Sequence, residues 1–161
     1  MKAEQKRMIA ELYRELYDKL MAYARANLES ESLAEEAVQE TFHIACQKPD
    51  SVCGSANPQG WLVNTLKNTI RNMQRNRATA KRILGTYMMA EFRARSASED
   101  EIDPGVLYGN IASTEEFKLL SEMAIEGRSH EEMARARGIT VSACKKRVQR
   151  AKETLQRKIK L

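Results

Sequence analysis

The sequence is poor in the residues that make turns, and it contains no long apolar segment. It has 7 glycines and 3 prolines in 161 residues, whereas Ala, Leu, Glu, Lys, Arg and Met, which favour helices, are plentiful. No apolar run approaches the roughly 18 residues that a membrane helix requires. The charged N-terminus also lacks the apolar stretch of a secretory signal. These absences predict an all-α protein that is not inserted in a membrane.

The sequence is also short of residues that bind metals or form disulfides. Cys46, Cys53 and Cys144 are odd in number and do not have zinc-ligand spacing. His43 and His130 have no partner ligands nearby in the sequence. We therefore expect no disulfide framework, no metal and no cofactor, and a reducing cytoplasmic environment. A glycine-rich phosphate loop, a nucleophile elbow and an apolar carboxylate pair are not visible either, so an enzyme is the least favoured class.

Charge changes sign several times along the chain. Residues 1–60 and 83–127 are net acidic, whereas residues 61–82 hold 6 basic and no acidic side chains and residues 128–161 hold 11 basic and 3 acidic ones. Two basic blocks separated by acidic stretches are typical of a protein that binds a polyanion, most often nucleic acid. Solvated helix faces would give the same pattern, so charge alone does not decide between these interpretations.

Two helices are predicted in the first third of the chain. Apolar residues recur at steps of three and four over residues 4–28, which indicates an amphipathic helix. Ser32 followed by Glu35 is a capping-box pattern that predicts the start of a second helix, which ends near Gln47. The small residues of 51–56 then predict a loop.

A third helix is predicted from Pro58 to about Arg82. Asn57 is a favourable N-cap, and proline at the first helical position loses no hydrogen bond. One side of this helix is apolar, and the other alternates amides and cations that suit phosphates and base edges. The residues of this polar side are Asn64, Lys67, Asn68, Arg71 and Arg75.

Residues 83–112 predict a linker, because the segment SASEDEIDPG is acidic and rich in turn-forming residues. The apolar residues of 87–92 can form a short helix or dock on a neighbour. The linker divides the chain into a domain of residues 1–82 and one of residues 113–161. A domain of about 50 residues buries little surface. We therefore expect the C-terminal domain to pack on the N-terminal one or on a partner.

The C-terminal domain has the spacing of a helix-turn-helix. A capping box at Ser113 and Glu116 predicts its first helix, and Ser129 with Glu132 predicts a second, short helix. Gly138 then supplies a tight turn before a last helix from Val141, whose side chains can contact bases and phosphates in the major groove. Those side chains are Ser142, Lys145, Lys146, Arg147, Gln149 and Arg150.

These motifs resemble those of the extracytoplasmic-function (ECF) family of RNA polymerase sigma factors. EEMARARGITVSACKKRVQRAKETL is similar to region four of that family. The upstream segments AEEAVQETF, at residues 34–42, and NPQGWL, at residues 57–62, resemble two segments of region two. Both sets occur in the family order and at the family spacing, and the resemblance covers about 125 of the 161 residues.

The resemblance implies a specificity subunit that is monomeric when free and has no catalytic activity. Its partners would be the beta-prime and beta subunits of core RNA polymerase and promoter DNA, both double-stranded and melted. An anti-sigma factor is a further partner in many members of the family. Such a protein acts in the bacterial cytoplasm.

The resemblance also implies a role for each predicted surface. The polar side of the third helix would contact the −10 element, and the loop over residues 50–57 would hold an extruded base. The last helix would enter the major groove of the −35 element. The second helix would bind the clamp of the beta-prime subunit, through Glu36, Gln39, Glu40 and Phe42, with Phe42 lying half in the core rather than wholly in the interface.

Two other functions remain open at the level of the residues. A helix-turn-helix regulator would bind operators as a symmetric dimer, but the sequence shows no heptad seam or spare apolar helix for dimerisation. A helical adaptor for a protein partner would need the basic blocks only for solubility.

Overall fold

The computed structural model describes residues 1–96, 103, 109 and 114–160. The described residues form α-helices and contain no strand, which confirms the all-α prediction. None of these helices is both long and apolar enough to cross a membrane. The helices are α1 (Ala3–Asn27), α2 (Glu31–Gln47), α3 (Pro49–Cys53), α4 (Pro58–Ser96), α5 (Glu115–Ala124), α6 (His130–Arg137) and α7 (Val141–Ile159).

The chain divides into two compact units, Met1–Arg75 and Asn76–Leu161, and the division falls inside α4. The structure therefore differs from the predicted linker over residues 83–96, which are helical. Of the remaining part of that linker, only residues 103 and 109 lie within the described residues.

The first unit contains α1, α2, α3 and the first part of α4 around one apolar core. Leu12, Leu16 and Leu20 recur every four residues on α1 and are all buried. The side of α2 that packs in this core consists mostly of small residues, such as Ala34, Ala37 and Ala45. Small side chains let neighbouring helices approach closely. The buried apolar residues of successive helices thus hold the first unit together.

The structure corrects two boundaries in the first unit. The N-cap of α2 is Ser30 rather than Ser32, because the Ser30 hydroxyl accepts a hydrogen bond from the Leu33 amide at 3.2 Å. Ser32 lies within the helix. Residues 51–53, the first part of the predicted loop over residues 51–56, belong instead to helix α3. Val52 of this helix is fully buried.

The start of α4 agrees with the sequence, but its end does not. The Asn57 side-chain oxygen accepts from the Gly60 amide at 3.0 Å, which confirms the predicted N-cap. The helix continues past Arg82 to Ser96. No proline interrupts it, and the apolar positions Ile83, Leu84 and Tyr87 continue its helical period.

The second unit packs α5, α6 and α7 together with the later part of α4. Ala80, Ile83, Leu84 and Tyr87 share a buried cluster with residues of all three C-terminal helices. Burial raises the pKa of the Tyr87 phenol above its usual value. The extra packing surface that a small C-terminal domain requires thus comes from residues 80–87.

The caps of the second unit mostly follow the sequence. The predicted box of α6 is confirmed: the Glu132 amide donates to the Ser129 hydroxyl at 3.1 Å, and the Ser129 amide donates to the Glu132 carboxylate at 3.2 Å. The N-cap of α5 is Thr114, and Ser113, which was predicted to start this helix, lies outside the described residues.

Candidate nucleic-acid interfaces

Helices α6 and α7 form the predicted helix-turn-helix. The chain turns at Gly138, whose φ of +63° is a left-handed conformation that favours glycine. The Ile139 amide donates a hydrogen bond to the Ala134 carbonyl at 3.0 Å, and the Thr140 hydroxyl accepts one from the Ala143 amide at 3.1 Å. The turn and the start of the second helix are therefore set by backbone and capping bonds.

A partly buried arginine holds the first helix of this motif to α5. The Arg137 guanidinium donates to Glu115 at 2.9 Å and to Glu122 at 2.7 Å, and only 14% of its side chain is exposed. The hydrogen bond to Glu122 raises the pKa of Arg137 well above its usual value. Arg137 is thus a structural cation rather than a contact for DNA. This role is not visible in the sequence, because the two carboxylates lie 15 and 22 residues away.

All six predicted DNA-contacting residues of α7 are exposed. The opposite stripe, which consists of Cys144, Val148, Ala151 and Leu155, is buried. Since successive helical residues are 100° apart, Ser142, Lys146 and Gln149 lie on the side turned away from the core. Lys145 and Arg147 lie on opposite flanks. We call the six residues the α7 face.

The polar side of α4 is also placed as predicted. Asn64, Asn68, Arg71 and Arg75 are exposed and Lys67 is half-buried. Leu62, Leu66 and Ile70 on the other side are buried in the core of the first unit. The five polar residues lie within about one third of the helix circumference. We call them the α4 face.

The predicted polymerase-binding residues of α2 differ in their exposure. Gln39 is exposed, and Glu36 and Glu40 are partly exposed on the same side of the helix. Phe42 is 93% buried, its ring packed edge-on against Tyr13 at a centroid distance of 4.8 Å. Its burial in the core argues against a direct contact of Phe42 with a partner.

Two family models match this chain. The model of Sigma-70 region 2 matches residues 12–87, and the model of Sigma-70, region 4 matches residues 114–155. Together they cover well over half of the sequence. The chain belongs to the sigma-70 family. A region 2 and a region 4 are typical of the ECF type, so the chain is an ECF-type sigma factor, as the sequence motifs indicated.

The other comparisons add little to this assignment. No curated protein matches the sigma factor significantly. Among solved structures, a chain of the 1.8 Å structure of the RsbN–BldN complex is similar, with 19% identity and a TM-score of 0.38. The match covers 92% of the sigma factor and 89% of that chain.

Family membership decides between the functions that the residues left open. Sigma-70 regions 2 and 4 imply interaction with RNA polymerase and DNA, which neither an independent operator-binding dimer nor a protein adaptor explains. The families themselves are not enzymes. Within the described residues of the sigma factor, no group of three or more His, Cys, Asp or Glu side chains is arranged to hold a metal ion.

Two surface aromatics of the sigma factor were not identified from the sequence. Tyr13 is 43% exposed and covers Phe42, and Tyr23 is 36% exposed near Lys67. Both lie on α1, where Tyr23 looked like part of the apolar stripe and Tyr13 was not singled out. Their neighbours on α2 and α4 are 29 and 44 residues away, so only the structure reveals these contacts.

Proposed function

We propose that the sigma factor binds promoter DNA at two separate places, with the α4 face on the −10 element and α7 in the major groove of the −35 element. Core RNA polymerase would supply the catalytic chemistry, and the sigma factor would have none of its own. This division of labour suits a monomeric subunit in the bacterial cytoplasm.

The observation that best supports this proposal is the composition of the α4 face. The α4 face consists of three cations and two amides, and helix α4 has no carboxylate anywhere over residues 61–82. Leu62, Leu66 and Ile70 on the opposite side are buried. Cations attract the phosphates, while Asn64 and Asn68 offer both donors and acceptors to base edges. A surface that served only solubility would normally mix charges of both signs.

The proposal for α7 is supported by the helix-turn-helix geometry and by exposure. Lys146 and Arg150 point away from the core, where a groove-bound helix meets DNA, and Lys145 and Arg147 flank that side. The Gln149 amide donates to Glu153 at 3.2 Å, so this pair would have to separate if Gln149 contacts a base.

We also propose that α2 binds the clamp of the beta-prime subunit. Glu36, Gln39 and Glu40 form a largely acidic surface that would complement a basic partner. Tyr13, rather than the buried Phe42, would provide the aromatic contact beside it. The second unit would bind the beta subunit, and an anti-sigma factor would compete for these surfaces.

The first experiment is a pull-down with core polymerase, followed by run-off transcription on genomic fragments. The proposal expects a stable complex and discrete transcripts that identify a promoter. If core polymerase does not bind the protein, the proposal fails, whatever the affinity of the protein for DNA.

Single substitutions then test the two faces on that promoter. Replacing Arg71 or Lys146 with alanine should weaken holoenzyme binding and reduce transcripts. Loss of a phosphate contact should reduce the slope of log K against log salt concentration by about one. Loss of a base contact should instead cost about 1–3 kcal/mol at one base pair. Lys6→Ala removes the same charge from an exposed position outside both faces and should leave transcription unchanged.

A further inference from the structure

The end of α1 lies beside one edge of the α4 face. The ammonium nitrogen of Lys67 is 5.9 Å from the centroid of the Tyr23 ring, within the range of a cation–π contact. Two helical turns further along α4, the Gln74 side-chain amide donates to the Asn27 carbonyl at 3.3 Å. Since Lys67 and Gln74 are seven residues apart, they lie on the same edge, and α1 follows that edge between them.

The ring of Tyr23 adds a chemical group that the α4 face lacks. The five side chains of the face are amides and cations, and Trp61, at the start of α4, is only partly exposed and packs against the core. On α1, Leu20, Met21 and Ala24 are buried, whereas 36% of Tyr23 remains exposed. The core is thus closed without complete burial of Tyr23, and part of this residue remains at the surface.

An aromatic ring beside a cation is suited to an unpaired nucleotide. Bases that have left the duplex stack on aromatic side chains, and cations along the same groove bind the backbone phosphates. A paired base has its faces covered by its neighbours, so a stacking residue distinguishes melted from double-stranded DNA. The contact with Lys67 also restricts the orientation of the ring, which reduces the entropy lost on binding.

We propose that Tyr23 stacks on an unpaired base of the melted promoter strand, while Lys67 binds a neighbouring phosphate. Tyr23 is then a residue of the DNA-binding surface contributed by α1. The inference rests on the proposed function, because it requires that the α4 face lies on melted −10 DNA.

The test uses holoenzyme assembled from full-length sigma factor and core polymerase, and the promoter found by run-off transcription. One probe has its −10 region held open by mismatches, and the other is a duplex that ends upstream of the −10 element. Tyr23→Leu keeps an apolar side chain without a ring face, and Tyr23→Phe is the matched control that keeps the ring. Dissociation constants are measured for both probes.

Tyr23→Leu should weaken binding of the open probe by about 5- to 150-fold, the range expected for one base–aromatic stack. Tyr23→Phe should stay within about two-fold of the unchanged protein, and neither variant should alter binding of the upstream duplex. Three results would overturn the inference: unchanged binding of the open probe by Tyr23→Leu, equal losses on both probes, or a loss in Tyr23→Phe as large as in Tyr23→Leu.

Arg71→Ala separates this inference from the proposed function. If Arg71→Ala weakens binding of the open probe and Tyr23→Leu does not, the α4 face still binds melted DNA and only the role of Tyr23 is wrong. If neither variant has an effect, the proposed −10 contact of the α4 face fails as well.

Discussion

The two units of the sigma factor differ in how their cores relate to the family regions. All core residues of the first unit precede position 76, so they lie within the N-terminal domain that the sequence predicted. The core of the second unit includes Ala80, Ile83, Leu84 and Tyr87, although the region 2 model extends to residue 87. Residues 76–87 therefore belong to region 2 by sequence and to the second unit by packing.

The difference shows that a family boundary need not be a packing boundary. The three C-terminal helices span fewer than 50 residues, and α6 buries only Met133 and Ala134. So small a set of helices exposes much of its apolar surface unless another element covers it. The later part of α4 provides that cover.

The largest expected effect comes from truncating a buried side chain among residues 76–87, which belong to region 2 by sequence and to the second unit by packing. Leu84→Ala deletes a side chain that is 98% buried, and a substitution of this kind costs about 2–5 kcal/mol when a cavity remains. Because Leu84 packs in the second unit, hydrogen exchange should accelerate in α5, α6 and α7. Native-state hydrogen exchange of the full-length protein measures this.

Leu66→Ala is the matched control, since Leu66 is equally buried on the same helix but in the first unit. It should accelerate exchange in α1 and α2. If Leu84→Ala leaves the amides of α5–α7 as protected as before, residues 80–87 do not support the second unit and the comparison fails.

The sequence predicted well those features that depend on neighbouring residues. The caps at Asn57 and Ser129 each require a polar side chain three positions before the amide that it binds, and both are present. The buried stripe of α7 and the polar side of α4 follow from helical period alone. The same reasoning chose Ser32 instead of Ser30, because Glu35 completes a capping-box pattern with Ser32, whereas the residue three positions after Ser30 is Leu33.

Features that depend on distant residues were not predictable. The prediction ended α4 at Arg82 although the apolar period continues to Tyr87, but the partners that bury Ile83 and Tyr87 follow residue 113 and were not predictable. Phe42 was expected to lie half in the core, but its contact with Tyr13 could not be predicted, because Tyr13 comes from another helix. The edge formed by Tyr23 and Lys67 was missed for the same reason.

The units differ next in the environment of their ion pairs. In the first unit, Arg25 binds Glu31 at 2.7 Å, but both side chains are more than half exposed. In the second unit, Arg137 is only 14% exposed and binds two carboxylates. Removing Arg137 would leave Glu122, itself only 21% exposed, without this cation.

We therefore expect Arg137→Met to lower the free energy of unfolding by about 2 kcal/mol, since hydrogen bonds to charged groups contribute about 1.5–3 kcal/mol. Arg135→Met is the control on the same helix: Arg135 is 77% exposed in its pair with Glu131, and such pairs contribute about 0.5 kcal/mol or less. Urea unfolding monitored by circular dichroism compares the two. Equal effects would show that Arg137 does not anchor α6 to α5.

The smallest effect concerns two glycines of the second unit that differ only in backbone conformation. A methyl group at Gly85 or at Gly138 would meet no atom within 4 Å beyond the neighbouring residues and the local helix backbone. Gly138 has a positive φ, which disfavours other residues by roughly 1–2 kcal/mol, so Gly138→Ala should destabilise the helix-turn-helix by about 1 kcal/mol. Gly85 lies in helix α4, where alanine is favoured by about 0.5–1 kcal/mol, so Gly85→Ala should stabilise the protein. The two substitutions should therefore shift the midpoint of thermal unfolding in opposite directions. If both midpoints shift in the same direction, alanine at position 138 is not strained by the positive φ, and the assignment of Gly138 as the turn of the DNA-binding motif is contradicted.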